Sequence, residues 1–289
     1  MAPRLPPPDL DSSALTAGLY VVATPIGNLR DITLRALDVL AAADLVLAED
    51  TRVAGKLLQA YGLSAKLERY DEHGAERTRP KAMAALAEGK TVALVSDAGT
   101  PLVSDPGYKL VREAAAEGYP VFPIPGASAL LAGLSAAGLP TDRFLFAGFP
   151  PPKSAARRTF LEELAPIRST LVFFEGGSRL AASLADMAAV LGDREAVVCR
   201  ELTKLYETFY RGPLRILADD PKLDAPKGEI VILVGPGREV EATAGDIDTA
   251  LADALTRLRP AEAAAEVAKA LGLSRRDVYQ RAMAIRAGR

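Results

Sequence analysis

Short apolar runs alternate with helix-like segments from Gly18 to about Ala136, and this alternation constrains the fold more than any other feature of the chain. The runs "LYVVAT", "DLVLAE", "TVALVS" and "YPVFPI" are typical of buried strands, and the segments between them repeat Leu, Val or Ala at helical spacing. Such alternation predicts an α/β fold with a mostly parallel sheet covered by helices. Ligands of these sheets bind beyond the carboxyl ends of the strands.

A second α/β block is predicted after the Pro- and Gly-rich stretch "GLPTDRFLFAGFPPPKS", which places a boundary near residues 138 to 143. Five further strand-like runs, "RFLFAG", "STLVFFE", "AVVCR", "ETFYRG" and "EIVILVG", end near Gly237. The remainder is Ala-rich and helical, and its "GLS" suits a helix-turn-helix in which Ser274 caps the second helix. We therefore expect a disordered leader at 1–17, α/β domains at 18–138 and 139–238, and a helical extension at 239–289.

Composition excludes several classes of protein. The 289 residues carry a formal charge of −2, with one Cys and one His, so the chain is not a uniformly basic nucleic-acid coat and has no internal disulfide. No Cys/His cluster predicts a metal site, and Cys199 in a strand-like run is interpreted as a core residue. No run approaches the length of a membrane span and no signal peptide is recognisable, so we expect a cytoplasmic protein with no membrane partner.

The loops that follow the predicted strands hold the polar residues. "SDAGTPLVSDPG", residues 96 to 107, follows "TVALV" directly and combines several turn signals with carboxylates. Similar positions hold "ATPIGNLRDIT", "AEDTR", "PIPGASAL", "FFEGGSR" and "CRELTKLYE". No glycine-rich phosphate loop of either common pattern is present, so the sequence does not support nucleotide phosphate binding.

With these loops, the chain from about Gly18 to Gly237 resembles the tetrapyrrole methylase superfamily. Within it, "SDAGTPLVSDPG" is most similar to the bacterial branch that methylates the ribose 2′-oxygen of a cytidine in 16S ribosomal RNA. The C-terminal segment is similar to the helix-turn-helix extension of that branch. The resemblance implies S-adenosyl-L-methionine as cofactor, the small ribosomal subunit as partner, and a homodimer.

The resemblance also implies that the cofactor lies in a cleft between the two α/β domains. Its contacts would come from small residues and exposed loop amides, which allow close approach of the backbone. The implied cofactor-binding residues are Pro25, Asp97, Gly99, Thr100, Val103, Ser128, Ala129, Phe174 and Ile230, with Asp97 bracing its loop.

A ribose hydroxyl is a poor acid, so some group must remove or stabilise its proton. The predicted catalytic residues are Lys204, Glu175 and Asp105, chosen from a wider set that includes Glu49, Asp50, Asp97 and Glu201. Lys204 is preferred, because burial beside a cationic cofactor would lower its pKa. The alternative is a Lys204–Glu201 ion pair on a helix. For Asp50 and Arg52, a helix cap with a salt bridge is favoured over catalysis.

Two basic clusters stand out against the near-neutral total charge and could contact RNA phosphates. Their residues are Lys153, Arg157 and Arg158 in the first cluster, and Arg275, Arg276, Arg281, Arg286 and Arg289 in the second. Helix spacing predicts that Lys153 and Arg157 share one face. His73 lies in "RYDEHGAER", where Asp71 and Gly74 depart from the family pattern.

Two other functions remain open from the residues. One is methylation of a porphyrin or corrin precursor by the same fold, which would not require the basic C-terminal extension. The other is a non-catalytic DNA-binding regulator, which would leave the polar strand-end loops unexplained. The target nucleotide, the general base, the dimer interface and the need for an assembled subunit stay open as well.

Overall fold

The computed structural model describes residues 10, 15–72, 74–237, 244–271 and 273–287. Most of the predicted leader, His73, Gly272 and Arg289 lie outside these residues. Up to Gly237 the chain forms one compact unit that contains two five-stranded sheets. The helices of the remaining residues form a second unit.

The first sheet is entirely parallel, as the alternation of strands and helices predicted. Its strand order is β3-β2-β4-β1-β5. The strands are β1 (Gly18–Val22), β2 (Leu45–Ala48), β3 (Leu67–Arg69), β4 (Thr91–Val95) and β5 (Val121–Ile124). The helices are α1 (Leu34–Ala42), α2 (Thr51–Ala60), α3 (Ala75–Ala87), α4 (Tyr108–Ala116) and α5 (Ala129–Ala137). All five strands consequently end at the same edge.

Both faces of the first sheet are buried, which explains why its strands are continuous apolar runs. In β4, Ala93 and Val95 pack into the cluster on one face, and Val92 and Leu94 pack into the cluster on the other. The polar residues that follow each strand are therefore the first ones that can reach solvent or a ligand.

The second sheet is mixed, with the order β6-β7-β10-β8-β9. Only the β6–β7 pair is parallel; the other three pairs are antiparallel. Its strands are β6 (Phe144–Gly148), β7 (Thr170–Gly176), β8 (Glu195–Arg200), β9 (Thr208–Pro213) and β10 (Glu229–Val234). Its helices are α6 (Ser154–Leu164), α7 (Leu180–Leu191) and α8 (Leu214–Ala218).

One apolar cluster joins the two sheets. Ile26, from the loop after β1, and Leu134 of α5 pack with Val172, Val231 and Leu233 of the second sheet. At Gly133 of α5, an added Cβ would lie only 3.3 Å from the Val231 side chain, so the helix approaches β10 closely. This packing fixes the strand-end loops of the two sheets relative to each other.

The C-terminal unit consists of α9 (Ala244–Arg257), α10 (Pro260–Leu271) and α11 (Arg275–Arg286). The three helices share a small core that includes Leu251, Val267 and Val278. As predicted, α11 begins directly after Ser274, although the serine side chain forms no capping hydrogen bond. Across the described part of the chain, no helix is long and apolar enough to cross a membrane.

Candidate functional site

A cavity of about 300 Å³ lies between the strand-end loops of the first sheet and strands β7 and β10 of the second. We call it the central pocket. It is lined by Ile26, Glu49, Asp97, Ala98, Gly99, Thr100, Val103, Ser104, Asp105, Ser128, Ala129, Phe149, Phe174, Glu175, Leu202, Glu229, Ile230 and Val231.

Backbone hydrogen bonds tie the loops of the pocket together. Gly99 N–H donates to the Thr24 carbonyl at 3.0 Å, and Thr24 N–H donates to the Gly99 carbonyl at 2.8 Å. The Thr100 hydroxyl donates to the Ala127 carbonyl at 3.2 Å. Gly99 has a φ of +82°, which a residue with a Cβ adopts only with strain. The loops after β1, β4 and β5 thus form one wall that is already arranged for a ligand.

Three carboxylates converge on the pocket from the first sheet. Burial, with a smaller contribution from the nearby Glu49 and Asp97 carboxylates, raises the pKa of Asp105 to about 6 against the opposing effect of a hydrogen bond with Ser96. Burial also raises the pKa of Glu49, although the Asp97 N–H lowers it. Like charges and desolvation both disfavour ionisation. Asp105 is therefore able to exchange a proton close to neutral pH.

Asp97 braces the loops, as the sequence suggested. Its carboxylate accepts a 2.9 Å hydrogen bond from the Asp50 N–H and so connects the loop after β4 to the one after β2. Asp50 caps α2 by accepting from the Arg52 N–H at 2.8 Å, and its carboxylate also pairs with the Arg52 side chain. The cap interpretation of this pair therefore agrees with the structure.

Glu175 lines the pocket, but its carboxylate is committed to structural partners. It is buried and accepts hydrogen bonds from the Gly176 N–H at 2.8 Å, from Arg179 Nε at 2.7 Å and from the Ser183 hydroxyl at 2.5 Å. Its oxygens are thus occupied by a backbone amide, a guanidinium and a hydroxyl. These bonds join the end of β7 to the residues that follow it and favour a structural role, and the catalytic assignment of Glu175 stays a prediction.

Lys204 differs from the expectation in the direction of its pKa. Its Nζ lies 2.8 Å from Glu201 Oε1 and 2.9 Å from Glu229 Oε2. Partial burial lowers the pKa, but hydrogen bonds with the two carboxylates outweigh it, and the net pKa is raised. The predicted Glu201 pair is present on a turn instead of a helix. Lys204 also packs over Gly27, where a Cβ would overlap its side chain.

Most of the predicted cofactor residues meet in the central pocket. Asp97, Gly99, Thr100, Val103, Ser128, Ala129, Phe174 and Ile230 all line it, and Asp105 joins them. Pro25 and Lys204 instead line a neighbouring cavity. Sequence reasoning missed Phe149, whose ring lies 5.7 Å from that of Phe174 in an edge contact. Its position just after β6, at a strand end, was the available signal.

The first basic cluster is divided by the fold. Arg157 is 3% exposed, and its guanidinium lies 2.7 Å from Asp186. The expectation that it contacts phosphate was therefore wrong, because its face of α6 turns inward onto α7. Arg158 also bonds Asp186, at 2.6 Å, but keeps half of its side chain exposed. Lys153 is exposed.

The second basic cluster is more open. Arg275 and Arg276 are exposed at the start of α11, whereas Arg281 forms a two-bond pair with Asp248 at 2.5 and 2.8 Å. Arg281 is thus partly neutralised. Cys199 is fully buried and burial raises its pKa to about 12, which agrees with its interpretation as a core residue.

The central pocket suits a small ligand that is both apolar and cationic. Phe149, Phe174, Ile230 and Leu202 supply apolar surface, and the Asp105 region supplies carboxylates. A cation placed there would relieve the like-charge repulsion among those carboxylates. Among the described residues, no group of three or more His, Cys, Asp or Glu side chains is placed so that it could hold a metal ion.

Comparison with known proteins gives matches over nearly the whole chain. Residues 18–218 match the family model "Tetrapyrrole (Corrin/Porphyrin) Methylases", and residues 241–286 match "RsmI C-terminal HTH domain". A Mesorhizobium japonicum protein named ribosomal RNA small subunit methyltransferase I is 50% identical, over 96% of this chain and 95% of its own. An Escherichia coli O157:H7 protein of the same name is 45% identical, over 92% of this chain and 94% of its own.

Solved structures resemble the fold at lower identity. Uroporphyrin-III-C-methyltransferase from Thermus thermophilus gives a TM-score of 0.54 at 22% identity, over 76% of this chain and 94% of its own. Diphthine synthase gives a TM-score of 0.57 at 19% identity, over 75% of this chain and 89% of its own. These likenesses concern the fold alone.

Proposed function

The chain belongs to the tetrapyrrole (corrin/porphyrin) methylase family, and from this premise we propose that it methylates ribosomal RNA with S-adenosyl-L-methionine as donor. The acceptor is the ribose 2′-oxygen of a cytidine in the 16S RNA of the small subunit. The observation that carries the proposal is that the central pocket gathers the polar strand-end loops in a chain whose relatives are named for small-subunit RNA methylation. We further propose a cytoplasmic homodimer with α/β domains at 18–138 and 139–238.

The residues of the central pocket fit the donor. Left-handed Gly99 and the small residues Ser128 and Ala129 leave room for close backbone approach, and Phe174 offers a ring face. When bound, S-adenosylmethionine would supply an electrophilic methyl group for the acceptor oxygen, with its sulfur as the leaving group, and the chain would have to accept the hydroxyl proton. The protein contributes positioning and a dry site.

Asp105 is the proposed proton acceptor, with Glu49 beside it. Its pKa of about 6 is close to neutral pH, and a general base is most effective when its pKa lies near the pH of the reaction. Lys204, whose pKa is raised, stays protonated and stabilises the negative charge that develops on the acceptor oxygen. Glu175 holds Arg179 and Ser183, and so keeps the end of β7 in place.

RNA binding is proposed for the exposed basic residues. Lys153, Arg158, Arg275 and Arg276 present charge to solvent and would neutralise phosphates. Arg281 and Arg158 would contribute less, because Asp248 and Asp186 already hold them. Affinity for the small subunit should then fall steeply as salt is raised.

The test is a transfer assay with purified protein and donor labelled on the methyl group. Small ribosomal subunits, porphyrinogens and duplex DNA are offered in parallel, and the labelled product is hydrolysed with alkali. We expect label only in the RNA, in alkali-resistant dinucleotides, since a 2′-O-methyl group blocks cleavage. Label in the tetrapyrrole would replace the proposal with methylation of a porphyrin or corrin precursor. Absence of label in every substrate, together with specific binding of the duplex DNA, would replace it with a non-catalytic DNA-binding regulator.

A further inference from the structure

A second, larger cavity of about 860 Å³ adjoins the central pocket. We call it the α2 cavity, because helix α2 forms one wall. The loop after β1 and the first residues after β4 form the others, and Lys204 also lines the cavity. The two cavities share Ile26, Asp97, Ala98 and Glu229, so they open onto a common boundary.

Two adjoining cavities match what methyl transfer requires. Donor and acceptor must meet with the reacting atoms about 3–3.5 Å apart, so each needs its own compartment on either side of one boundary. Both volumes fall within the roughly 300–1,000 Å³ of small-ligand sites. The predicted donor contacts cluster in the central pocket, which leaves the α2 cavity for the acceptor.

The wall formed by α2 combines apolar and cationic groups. Val53, Lys56, Leu57 and Ala60 are spaced i, i+3, i+4 and i+7, and all four line the cavity. Val53 is 38% exposed and Leu29, across from the helix in the loop after β1, is 37% exposed. Exposed aliphatic side chains in a concave site mark a place where apolar surface is buried on binding.

Lys56 supplies the charge. It is exposed at the cavity wall, and within the described residues it forms no ion pair. Gln59, one turn away on the same wall, adds an amide that can both donate and accept hydrogen bonds. An extruded base is held between aromatic or apolar side chains with hydrogen bonds to its edge, and a lysine can neutralise a phosphate, so this wall offers the groups that one unstacked nucleotide requires.

We propose that the α2 cavity is the acceptor site, and that it holds one unstacked nucleotide of the RNA with the base against Val53 and Leu29 and an adjoining phosphate at Lys56. The proposal rests on the proposed function. It adds a binding site on α2 that neither basic cluster includes, and it directs the ribose toward the boundary formed by Ile26, Asp97 and Glu229.

Steady-state kinetics of the full chain with small ribosomal subunits provide the first test. Val53→Asp should lower kcat/KM by 100-fold or more, because a carboxylate repels the RNA and removes apolar surface. Lys56→Ala should raise KM about tenfold with little change in kcat. Lys66→Ala, an exposed lysine that lines neither cavity, is the matched control and should behave as wild type.

Donor affinity, measured by calorimetry, should be unchanged in all three variants. Wild-type kinetics in both cavity variants would overturn the acceptor site while leaving the proposed function intact. If the wild-type protein labels no RNA at all, the proposed function fails instead, and the two failures are distinguishable.

Thiol labelling gives a second readout that does not depend on turnover. The only cysteine, Cys199, is fully buried, so a single introduced cysteine reports its own site. In Val53→Cys, small subunits should slow maleimide labelling at least fivefold more than in Lys66→Cys, and the donor alone should not. Equal slowing in the two variants, or protection of Val53→Cys by the donor alone, would contradict the proposal.

Discussion

The carboxylates around the two sheets differ in their burial and in their partners: Glu175 and Asp186 are buried, and Glu49 and Asp105 are partly buried. Around the second sheet, Glu175 is paired with Arg179, and Asp186 with Arg157 and Arg158. At the ends of the first sheet, Asp105 and Glu49 form no ion pair with the described residues, and the pKa of each is raised. A buried charge without a partner costs stability, and such groups concentrate at functional sites. We infer that Glu175 and Asp186 stabilise the fold, whereas Asp105 and Glu49 are free to take part in proton transfer.

The largest effect is expected from Asp105→Asn. An amide cannot accept the acceptor's proton, so single-turnover methyl transfer should fall about 10²- to 10⁴-fold, the range typical of a general base. Donor affinity should change far less. Asp142→Asn, at an exposed aspartate outside the pocket, is the control. Near-normal turnover in Asp105→Asn would contradict the view that the unpaired carboxylates of the first sheet serve the chemistry.

Glu175→Ala should lower the free energy of unfolding. Its removal leaves Arg179 and Ser183 without their carboxylate partner in a buried setting, which typically costs about 3 kcal/mol. Urea unfolding followed by circular dichroism measures the free energy of unfolding directly. If Glu175→Ala left that free energy unchanged, the carboxylate would not be a structural one.

The pH dependence of stability should identify Asp105 independently of catalysis. Its pKa is about 6 in the folded chain against an ordinary 3.8, so the folded state binds the proton more tightly. Its contribution is therefore favourable below pH 4 and is lost as pH rises through 6. The free energy of unfolding of Asp105→Asn should consequently exceed that of wild type by about 1–2 kcal/mol at pH 8, and this difference should disappear at pH 4. A gain that is the same at both pH values would contradict the raised pKa.

The smallest effect is expected at Lys204, which lies between the two sheets. Lys204→Ala should lower turnover about tenfold and donor affinity much less, because the side chain lines the α2 cavity and not the central pocket. Rapid-quench kinetics and calorimetry separate the two quantities. Turnover close to wild type would exclude Lys204 from the mechanism, and an equal loss of donor affinity would assign it to the cofactor.

Much of the fold was predictable because local patterns encode it. Strands buried on both faces require apolar runs, so β1, β2 and β4 were recognisable, and parallel pairing placed their following loops at one edge. The antiparallel pairing of β10 with β7 and β8 was not predictable, since strand order depends on tertiary packing.

The position of the site was predictable, but the hydrogen bonds and ion pairs of its residues were not. The resemblance to the tetrapyrrole methylases implied Gly99, Thr100 and Ser128 as cofactor contacts, and these three residues line the pocket together. The errors came from contacts distant in sequence. Arg157 meets Asp186 across two helices. Lys204 meets Glu229, 25 residues away, in addition to the neighbouring Glu201, and the two carboxylates together raise the pKa that burial alone would lower.

Calorimetric titration of S-adenosylmethionine tests the central assignment most directly. We expect the wild-type chain to bind one donor molecule per central pocket, and Ala129→Leu, which fills the pocket from the start of α5, to lose that binding. Ala129→Leu should keep the wild-type unfolding free energy. Absence of binding by the wild-type chain, or undiminished binding by a folded Ala129→Leu variant, would contradict the account.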